Sequence, residues 1–404
     1  MSFADFILQH EGDDPVRLLL SRDRYPDIDL DLAVTTLEVR RKLKTKVPEW
    51  YAIPSLVYPS RLSGEQCSSS ETARYKAMLA ARVRREGTPS LLRVADLTGG
   101  MGVDAWAFSS VAEAVFYNEM QEGLAEATRL NFRELGVENV RFSGRKVEVG
   151  NVRDVLDGFE ADVIFLDPAR RGEDGRKVFL IEECQPDVVG LLPELFEASR
   201  FVMVKLSPMA DITMACKRLE HVREVHVVAA GGECKELLFV MDREWEGPYS
   251  TFVVEGGAVM EIPGHAGNDV AFGVPKEGDW LFEPGKALAK AGAFDLPCRF
   301  GLAKLGVHTH LYTGEAVPEG LEAFGKWFEI VEVLPLNNRT MKEAGKRWPQ
   351  AEVTARNVPM TSELLRRKIG CASGGDVHLF GVRVDAAEGA GNYLIATKKR
   401  YGTN

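Results

Sequence analysis

The sequence predicts an α/β protein in which a mostly parallel sheet of seven strands follows a helical N-terminal part and precedes small α+β domains. Three observations predict this fold. Short apolar runs alternate with helical stretches from Leu91 to Met241, which is typical of βαβ units in a sheet covered on both faces. Apolar residues recur at helical spacing before that region, and a second alternation of strands and helices follows it.

The first 88 residues are predicted to be helical. FADFILQH and VRLLLSR have apolar residues at helical spacing, and LAVTTLEVRRKLKTKVPEW predicts a longer helix that ends at Pro48. Serines at 68–70 can cap a further helix that runs to Arg85. The segment Gln66–Ser70 is either a lid over the ligand edge of the sheet or a plain helix cap.

Seven apolar runs are the predicted strands of the sheet: LLRVADL, AVFYNE, RKVEVG, ADVIFLD, RFVMVKL, EVHVVAA and KELLFVM. The last two lie close together and are joined by GGECKE, which predicts a terminal hairpin and therefore one antiparallel strand. The predicted domains are 1–88 (helical), 89–245 (sheet), 246–326 (small α+β) and 327–404 (a further α+β unit that begins with WFEIVEVL). EWEGPYS lies at the boundary between the second and third domains.

Composition excludes several classes of protein. No apolar run reaches 18 residues, so no membrane span is expected. The N-terminus lacks the basic and apolar regions of a secretory signal. The six cysteines form no C-x-x-C pair, so we expect reduced thiols in a cytoplasmic protein, without a metal site.

Charge is distributed unevenly along the chain. The net charge is −10, but the segment from Arg339 to Asn404 has 12 lysines and arginines against 6 acidic residues. A basic C-terminal end on an acidic body can bind a polyanion at one place. The alternative is an ordinary solvated surface.

The segment VADLTGGMGVDAWAF predicts a ligand-binding turn between a strand and a helix. The strand ends at Asp96, and the turn contains Thr98, Gly99, Gly100 and Gly102. Glycine has no Cβ, so a ligand can lie against the main chain, and the helix N-terminus supplies unpaired N–H groups. The pattern also fits G-x-G-x-x-A, which leaves a dinucleotide open as the ligand.

Three neighbouring features favour a different ligand. Asp96, directly before the glycines, would repel a pyrophosphate but attract a cationic amino acid moiety. Glu119 ends the next strand, where a carboxylate accepts hydrogen bonds from the ribose hydroxyls of either ligand. Asp167 and Pro168 end the fourth strand, where a dehydrogenase has no use for Asp-Pro. Together they favour S-adenosylmethionine, which has an ammonium and a sulfonium and no phosphate.

These residues resemble the motifs of class I methyltransferases. The turn is similar to motif I, with Thr98 in place of the usual first glycine, and VIFLDPARR is similar to motif IV. Asn151 occupies the position at which the family often has an aspartate that contacts adenine, with Asp154 as the alternative. The resemblance implies a Rossmann-like methyltransferase sheet and S-adenosylmethionine as the cofactor.

The resemblance extends to a narrower family. EQCSSSETARYKA, DPARRGEDGRKVFLIEECQPDV, VKLSPMADI and ECKELLF look like a bacterial methyltransferase family typified in Bacteroidetes. FEPGKALAKAG and HTHLYT resemble its ferredoxin-like insert, and ARNVPMTSELLRRKIG with GGDVHLFG resembles its C-terminal THUMP-like domain. Because THUMP domains are associated with RNA-modifying enzymes, the resemblance implies an RNA partner, tRNA or rRNA.

Residues near the sheet edge suggest the acceptor. The segment VMVKLSPMA has no cysteine nucleophile, which excludes uridine C5 chemistry, and no aromatic residue follows Pro168 as it does in many base N-methyltransferases. Base nitrogens nevertheless stay open. Lys76, Asp167, Lys205 and Glu236 occupy the positions of the Lys-Asp-Lys-Glu tetrad found in one group of ribose 2′-O-methyltransferases. The alternative is that these lysines and Glu236 are rim or solvated charges.

Basic residues are candidates for RNA contacts. Pro168, Arg170 and Arg171 follow the fourth strand, where arginines can hold phosphates bidentately or pair with nearby acids. Arg366 and Arg367 end a helix, where they contact phosphates or complement the helix dipole. Two rival functions remain: a methyltransferase for a protein or small molecule, and a non-catalytic S-adenosylmethionine-responsive RNA-binding protein.

Overall fold

The computed structural model describes residues 1–85, 91–170, 181–263 and 270–402. The chain divides into two compact units. The first consists of Met1–Val225 and Leu237–Tyr249, and the second of His226–Glu236 and Ser250–Asn404. The first unit therefore contains the predicted helical part and most of the predicted parallel sheet.

Helices form the N-terminal part of the first unit, as predicted. They are α1 (Phe3–Gln9), α2 (Pro15–Leu20), α3 (Leu30–Lys46), α4 (Pro48–Tyr51), α5 (Arg61–Gln66) and α6 (Ser70–Arg85). Asp14 and Asp29 cap α2 and α3 by accepting backbone N–H groups. α3 ends two residues before Pro48, which cannot continue a helix but suits the first position of α4. The apolar faces of α1, α2 and α3 share one buried cluster that includes Phe6 and Leu37.

A parallel sheet forms the centre of the first unit. The strands up to residue 242 are β1 (Arg93–Asp96), β2 (Ala114–Asn118), β3 (Val140–Ser143), β4 (Val163–Leu166), β5 (Ala169–Arg170), β6 (Cys184–Gln185), β7 (Phe201–Leu206), β8 (Val222–Ala230) and β9 (Glu233–Asp242). β1 is parallel to β2 and β4, β2 to β3, and β4 to β7. β9 pairs antiparallel with β7 from Leu237 to Asp242, which confirms the predicted antiparallel strand.

Helices connect the parallel strands. They are α7 (Val103–Ser109), α8 (Glu122–Glu134), α9 (Val152–Leu156), α10 (Val188–Ala198) and α11 (Ile212–Arg218). All four residues of β4 are buried, as expected for a central strand with both faces covered. Because β1, β2 and β4 are parallel, their carboxyl ends meet at one edge of the sheet, which is where parallel α/β sheets bind ligands.

The prediction for the third strand was wrong. RKVEVG, residues 145–150, is irregular, and the strand is formed instead by Val140–Ser143. The Asn118 side chain accepts the N–H of Arg145 at 3.0 Å and donates to its carbonyl at 2.8 Å. Because a side chain uses these backbone groups, the segment leaves the sheet and crosses the end of β2.

The second unit contains the remaining elements. Its further strands are β10 (Ser250–Glu255), β11 (Ala258–Ile262), β12 (Trp280–Pro284), β13 (Ala303–Lys304), β14 (Tyr312–Gly314), β15 (Gly325–Pro335), β16 (Glu352–Arg356), β17 (Val377–Val384) and β18 (Gly391–Gly402). Its helices are α12 (Lys286–Lys290), α13 (Leu296–Arg299), α14 (Asn338–Arg347) and α15 (Ser362–Ile369). β10 and β11 form an antiparallel hairpin.

Seven strands of the second unit form one sheet, in the order β13-β14-β12-β15-β18-β17-β16. Neighbours are antiparallel except β16 and β17. The strands and helices predicted after Trp327 are present in the predicted order. The expected boundary between residues 326 and 327 falls inside β15, and the division into four domains stays a prediction.

Candidate active site

The turn after β1 is built around glycines that accept no side chain. A Cβ on Gly99 would lie 2.2 Å from the ring of Tyr117, and one on Gly102 would lie 2.6 Å from Thr128. Gly100 and Gly102 have φ values of +52° and +85°, which glycine adopts without strain. The turn therefore presents bare backbone at the carboxyl edge of the sheet, where α7 begins.

Thr98 connects this turn to the end of β4. Its hydroxyl accepts a hydrogen bond from the backbone N–H of Asp167 at 2.6 Å. A glycine at this position could not make that bond, which gives the departure from the usual motif I glycine a structural reason. This hydrogen bond fixes the position of Asp167 relative to the glycine turn.

Asp96 is a buried carboxylate beneath the turn. It is 1% exposed and accepts the N–H of Thr98 at 3.1 Å. Burial raises its pKa well above the usual range, and the nearby carboxylates of Asp104, Asp167 and Glu119 raise it further, whereas the bond from Thr98 lowers it. The cleft therefore favours a cation and disfavours a further anion such as pyrophosphate.

Glu119 follows β2 and is also buried. Its two carboxylate oxygens accept the N–H groups of Gly100 at 3.0 Å and Gln121 at 2.8 Å. Tyr117 donates its hydroxyl to the carbonyl of Gly100 at 2.6 Å. The carboxylate is thus fixed at the end of β2, and its remaining lone pairs can accept hydroxyl groups of a ligand.

A cleft of about 270 Å³ lies at this edge, within the first unit. The predicted residues that line it are Thr98, Gly99, Gly100, Gly102, Glu119 and Asp167. Residues from the segment before α6 also line it, namely Gln66, Cys67 and Ser68, in agreement with a position over the ligand edge. The lining residues that sequence reasoning missed include Asp104, Arg145, Lys146, Val147, Gln185 and Pro186.

Asn151, the predicted adenine contact, is not among the described residues that line the cleft. Its amide accepts the N–H of Glu148 at 2.9 Å and donates to the carbonyl of Lys146 at 2.9 Å. Asn151 thereby stabilises the loop that brings Lys146 and Val147 to the cleft. Arg145 and Lys146 donate to the carbonyl of Asp154 and the carboxylate of Glu148.

Asp167, which lines the cleft, forms an ion pair with Lys205, which is not among the described lining residues. The Lys205 ammonium donates to Oδ2 of Asp167, and the side chain of Asp167 is 34% exposed whereas that of Lys205 is 13% exposed. Asp167 follows β4 and Lys205 lies near the end of β7. Pro168 is buried beside them. The pair combines a proton acceptor and a proton donor next to the ligand turn.

Lys76 lies in a buried network with Ser68 and Asp104. It is 0% exposed, its ammonium donates to the Ser68 hydroxyl at 2.9 Å, and it lies 3.1 Å from Oδ1 of Asp104. Ser68 donates to Oδ2 of Asp104 at 2.8 Å. The network connects α6 and the segment before it to the first turn of α7.

Three further predicted residues, Glu236, Arg366 and Arg367, are not among the described residues that line the cleft. Glu236 is buried and belongs to the second unit. Arg366 and Arg367 lie in the last turn of α15, where Arg366 is half-buried and Arg367 is exposed. Arg170 ends β5, but its side chain and the whole of Arg171 lie outside the described residues.

The described ranges contain neither a membrane-spanning helix nor a metal-binding cluster. No helix in them has the length and hydropathy needed to cross a membrane. In the same ranges, no group of three or more histidine, cysteine, aspartate or glutamate side chains is arranged to hold a metal ion.

Comparison with known proteins gives matches in both units. Family models match residues 280–320, as a ferredoxin-like domain, and residues 325–399, as a THUMP domain-like segment. A solved structure from Porphyromonas gingivalis W83, assigned as a methyltransferase, is 31% identical over 98% of this chain and 97% of its own, with a TM-score of 0.80. Among proteins of curated function, none matches significantly.

Two further solved structures each cover 41% of this chain. One is an rRNA methylase from Streptococcus thermophilus, with 11% identity, 94% of its chain covered and a TM-score of 0.29. The other was assigned as a methyltransferase of Streptococcus mutans and solved with S-adenosylhomocysteine, with 13% identity, 96% of its chain covered and a TM-score of 0.28.

Proposed function

The chain belongs to the class I S-adenosylmethionine-dependent methyltransferases that carry a ferredoxin-like and a THUMP-like domain, and on that premise we propose that its acceptor is structured RNA, tRNA or rRNA. The observation that carries the proposal is the THUMP-like match over residues 325–399. The excess of basic residues from Arg339 onward supports it, because phosphates dominate affinity for RNA. Arg366 and Arg367 are proposed phosphate contacts.

The chain's own residues fit the methyl donor. S-adenosylmethionine supplies an electrophilic methyl group on a sulfonium. We assign its ammonium to the side of the cleft near Asp96, its ribose hydroxyls to Glu119, and its contact with bare backbone to Gly99, Gly100 and Gly102. The fit follows from charge, because the buried carboxylates at this edge stabilise a cation.

The proposed acceptor atom is a ribose 2′-hydroxyl or a base nitrogen. A ribose hydroxyl or a base N–H loses a proton as its new bond to the methyl carbon forms, and the bond between that carbon and the sulfur breaks, which leaves S-adenosylhomocysteine. Asp167, which lines the cleft and accepts a hydrogen bond from Lys205, is the proposed proton acceptor. Lys76 and Glu236 complete the proposed catalytic set, and Pro168 with Arg170 and Arg171 is proposed to contact the acceptor. We also propose a cytoplasmic location, in keeping with six free cysteine thiols.

Radiolabelled methyl transfer tests the proposed function. The full chain is incubated with tritiated S-adenosylmethionine and total RNA from a strain that lacks the gene, and the digested nucleosides are separated. Label in 2′-O-methyl or N-methyl nucleosides is expected, and the Asp96→Asn variant serves as a donor-binding control. Label only in protein or small molecules would assign the chain to the first rival function. RNA binding without any label would assign it to the second.

The raised pKa of Asp96 predicts that donor binding is coupled to proton release. In the free protein this carboxyl keeps its proton to a higher pH than an ordinary aspartate, and a bound ammonium favours the ionised form. Affinity for S-adenosylhomocysteine is therefore expected to rise as pH increases through the raised pKa, and to level off above it.

Calorimetry in two buffers of different ionisation enthalpy, between about pH 5 and 8, measures this proton release. The Asp96→Asn variant should bind S-adenosylhomocysteine more weakly, and its affinity should no longer depend on pH. An affinity for S-adenosylhomocysteine that is independent of pH over this range, in the unchanged protein, would contradict the assignment of the ammonium to Asp96.

A further inference from the structure

A second cavity, of about 450 Å³, lies within the second unit. Its walls are the ends of β12 and β16 and the beginnings of α12 and β15. Two glycines form part of the wall, and neither accepts a side chain. A Cβ on Gly285 would lie 1.9 Å from Glu255, and one on Gly325 would lie 2.4 Å from the carbonyl of Glu283. The close packing of these elements around the two glycines therefore shapes the cavity wall.

Three cationic side chains line this cavity, namely Lys286, Lys326 and Arg356. Two carboxylates also line it, and both are engaged with protein groups. Glu283 accepts from Arg356 at 2.8 Å. Glu255 is buried and accepts the backbone N–H groups of Lys286 at 3.0 Å and Ala287 at 3.3 Å. The net charge of the lining favours an anionic ligand.

Two stacked rings form another part of the wall. The centroids of Phe294 and His310 are 3.8 Å apart, with an angle of 18° between the rings, and the ammonium of Lys304 lies 5.9 Å from the Phe294 centroid. Nδ1 of His310 is buried and has no hydrogen-bond partner among the described residues. Burial, together with the charges of Lys304 and His308, lowers the pKa of His310, so its ring is neutral near pH 7.

We propose that this cavity binds a nucleoside phosphate. Lys286, Lys326 and Arg356 supply charge for the phosphate, and the Phe294–His310 wall supplies a flat apolar surface for the base. The nucleotide comes either from an unpaired segment of the acceptor RNA or from the free pool. The first source rests on the proposed function, and the second does not.

Binding measurements with the full chain test the proposal. The probes are AMP, CMP, inorganic phosphate, and a fluorescent RNA duplex with or without a single-stranded overhang. The Lys286→Gln/Lys326→Gln variant is expected to weaken nucleotide binding at least about tenfold, because two charge-assisted contacts are lost. Lys276→Gln, an exposed lysine of the same unit outside the cavity, is the matched control and should bind like the parent. Phe294→Leu should weaken the binding of AMP and CMP but not the binding of inorganic phosphate.

The two sources give different results. If the cavity takes RNA, the double variant loses its preference for the overhang, and AMP competes with the overhang in the parent. If it takes a free nucleotide, AMP or CMP binds and the overhang gives no advantage. The proposal is overturned if no nucleotide and no overhang binds saturably up to about 5 mM, or if the double variant binds as well as Lys276→Gln. If the protein methylates RNA but shows no such binding, only the proposal for this cavity is refuted. If it binds nucleotides but does not methylate RNA, only the proposed function is refuted.

Discussion

The Lys205→Met variant is expected to lose at least about 100-fold in the rate of methyl transfer while it still binds S-adenosylhomocysteine within about threefold of the parent. The Lys205 ammonium donates to Asp167 at the cleft, and methionine has a similar length but no charge and no N–H. Without Lys205, the Asp167 carboxylate loses the partner that orients it. The proton that leaves the acceptor then has no positioned recipient, whereas the donor keeps its contacts with the glycine turn.

Single-turnover measurements at saturating donor separate this effect from binding. Asp167→Asn should give a similar loss, and the Lys205→Met/Asp167→Asn double variant should lose little more, because the two residues act as one unit. Lys217→Met, an exposed lysine of α11, is the matched control and should transfer at the parental rate. A Lys205→Met variant with the parental rate of transfer would remove the ion pair from the proposed chemistry.

The ligand turn could be predicted from sequence because its signal is local. A strand that ends in Asp96, then glycines and an apolar helix, specifies one turn within a dozen residues. The burial that raises the pKa of Asp96 follows from its position at the end of a central strand. Glu119 and Asp167 could be found in the same way, since each directly follows a parallel strand and such strand ends meet at one edge.

Other features depend on contacts between distant segments and could not be predicted locally. RKVEVG alternates apolar and polar residues as a strand does, but Asn118, 27 residues earlier, binds the backbone of Arg145 and removes the segment from the sheet. Asp104 has the appearance of an ordinary polar residue in the first turn of a helix. Its place in the structure is set by Ser68 and Lys76, which come from α6 and the segment before it.

The Lys76→Met variant is expected to lose about 3–5 kcal/mol of unfolding free energy. Lys76 is fully buried, and Asp104, 3.1 Å from its ammonium, is 8% exposed. Removing the ammonium leaves a buried carboxylate whose remaining side-chain partner, within the described part of the chain, is the Ser68 hydroxyl. Urea unfolding followed by circular dichroism measures the loss. Lys42→Met, which removes an exposed pair with Glu65, is the control and should change stability little.

The Lys76→Met/Asp104→Asn double variant separates folding from chemistry. Removing both charges restores most of the lost stability, because neither partner is left buried and unpaired. Since the proposed catalytic set includes Lys76, this variant should fold and bind S-adenosylhomocysteine, yet transfer methyl at least about tenfold more slowly than the parent. A parental rate in the refolded double variant would remove Lys76 from the catalytic set and leave it the single role of neutralising Asp104. Stability that stays as low as in Lys76→Met would instead show that the loss comes from the packing of the lysine stem and not from its charge.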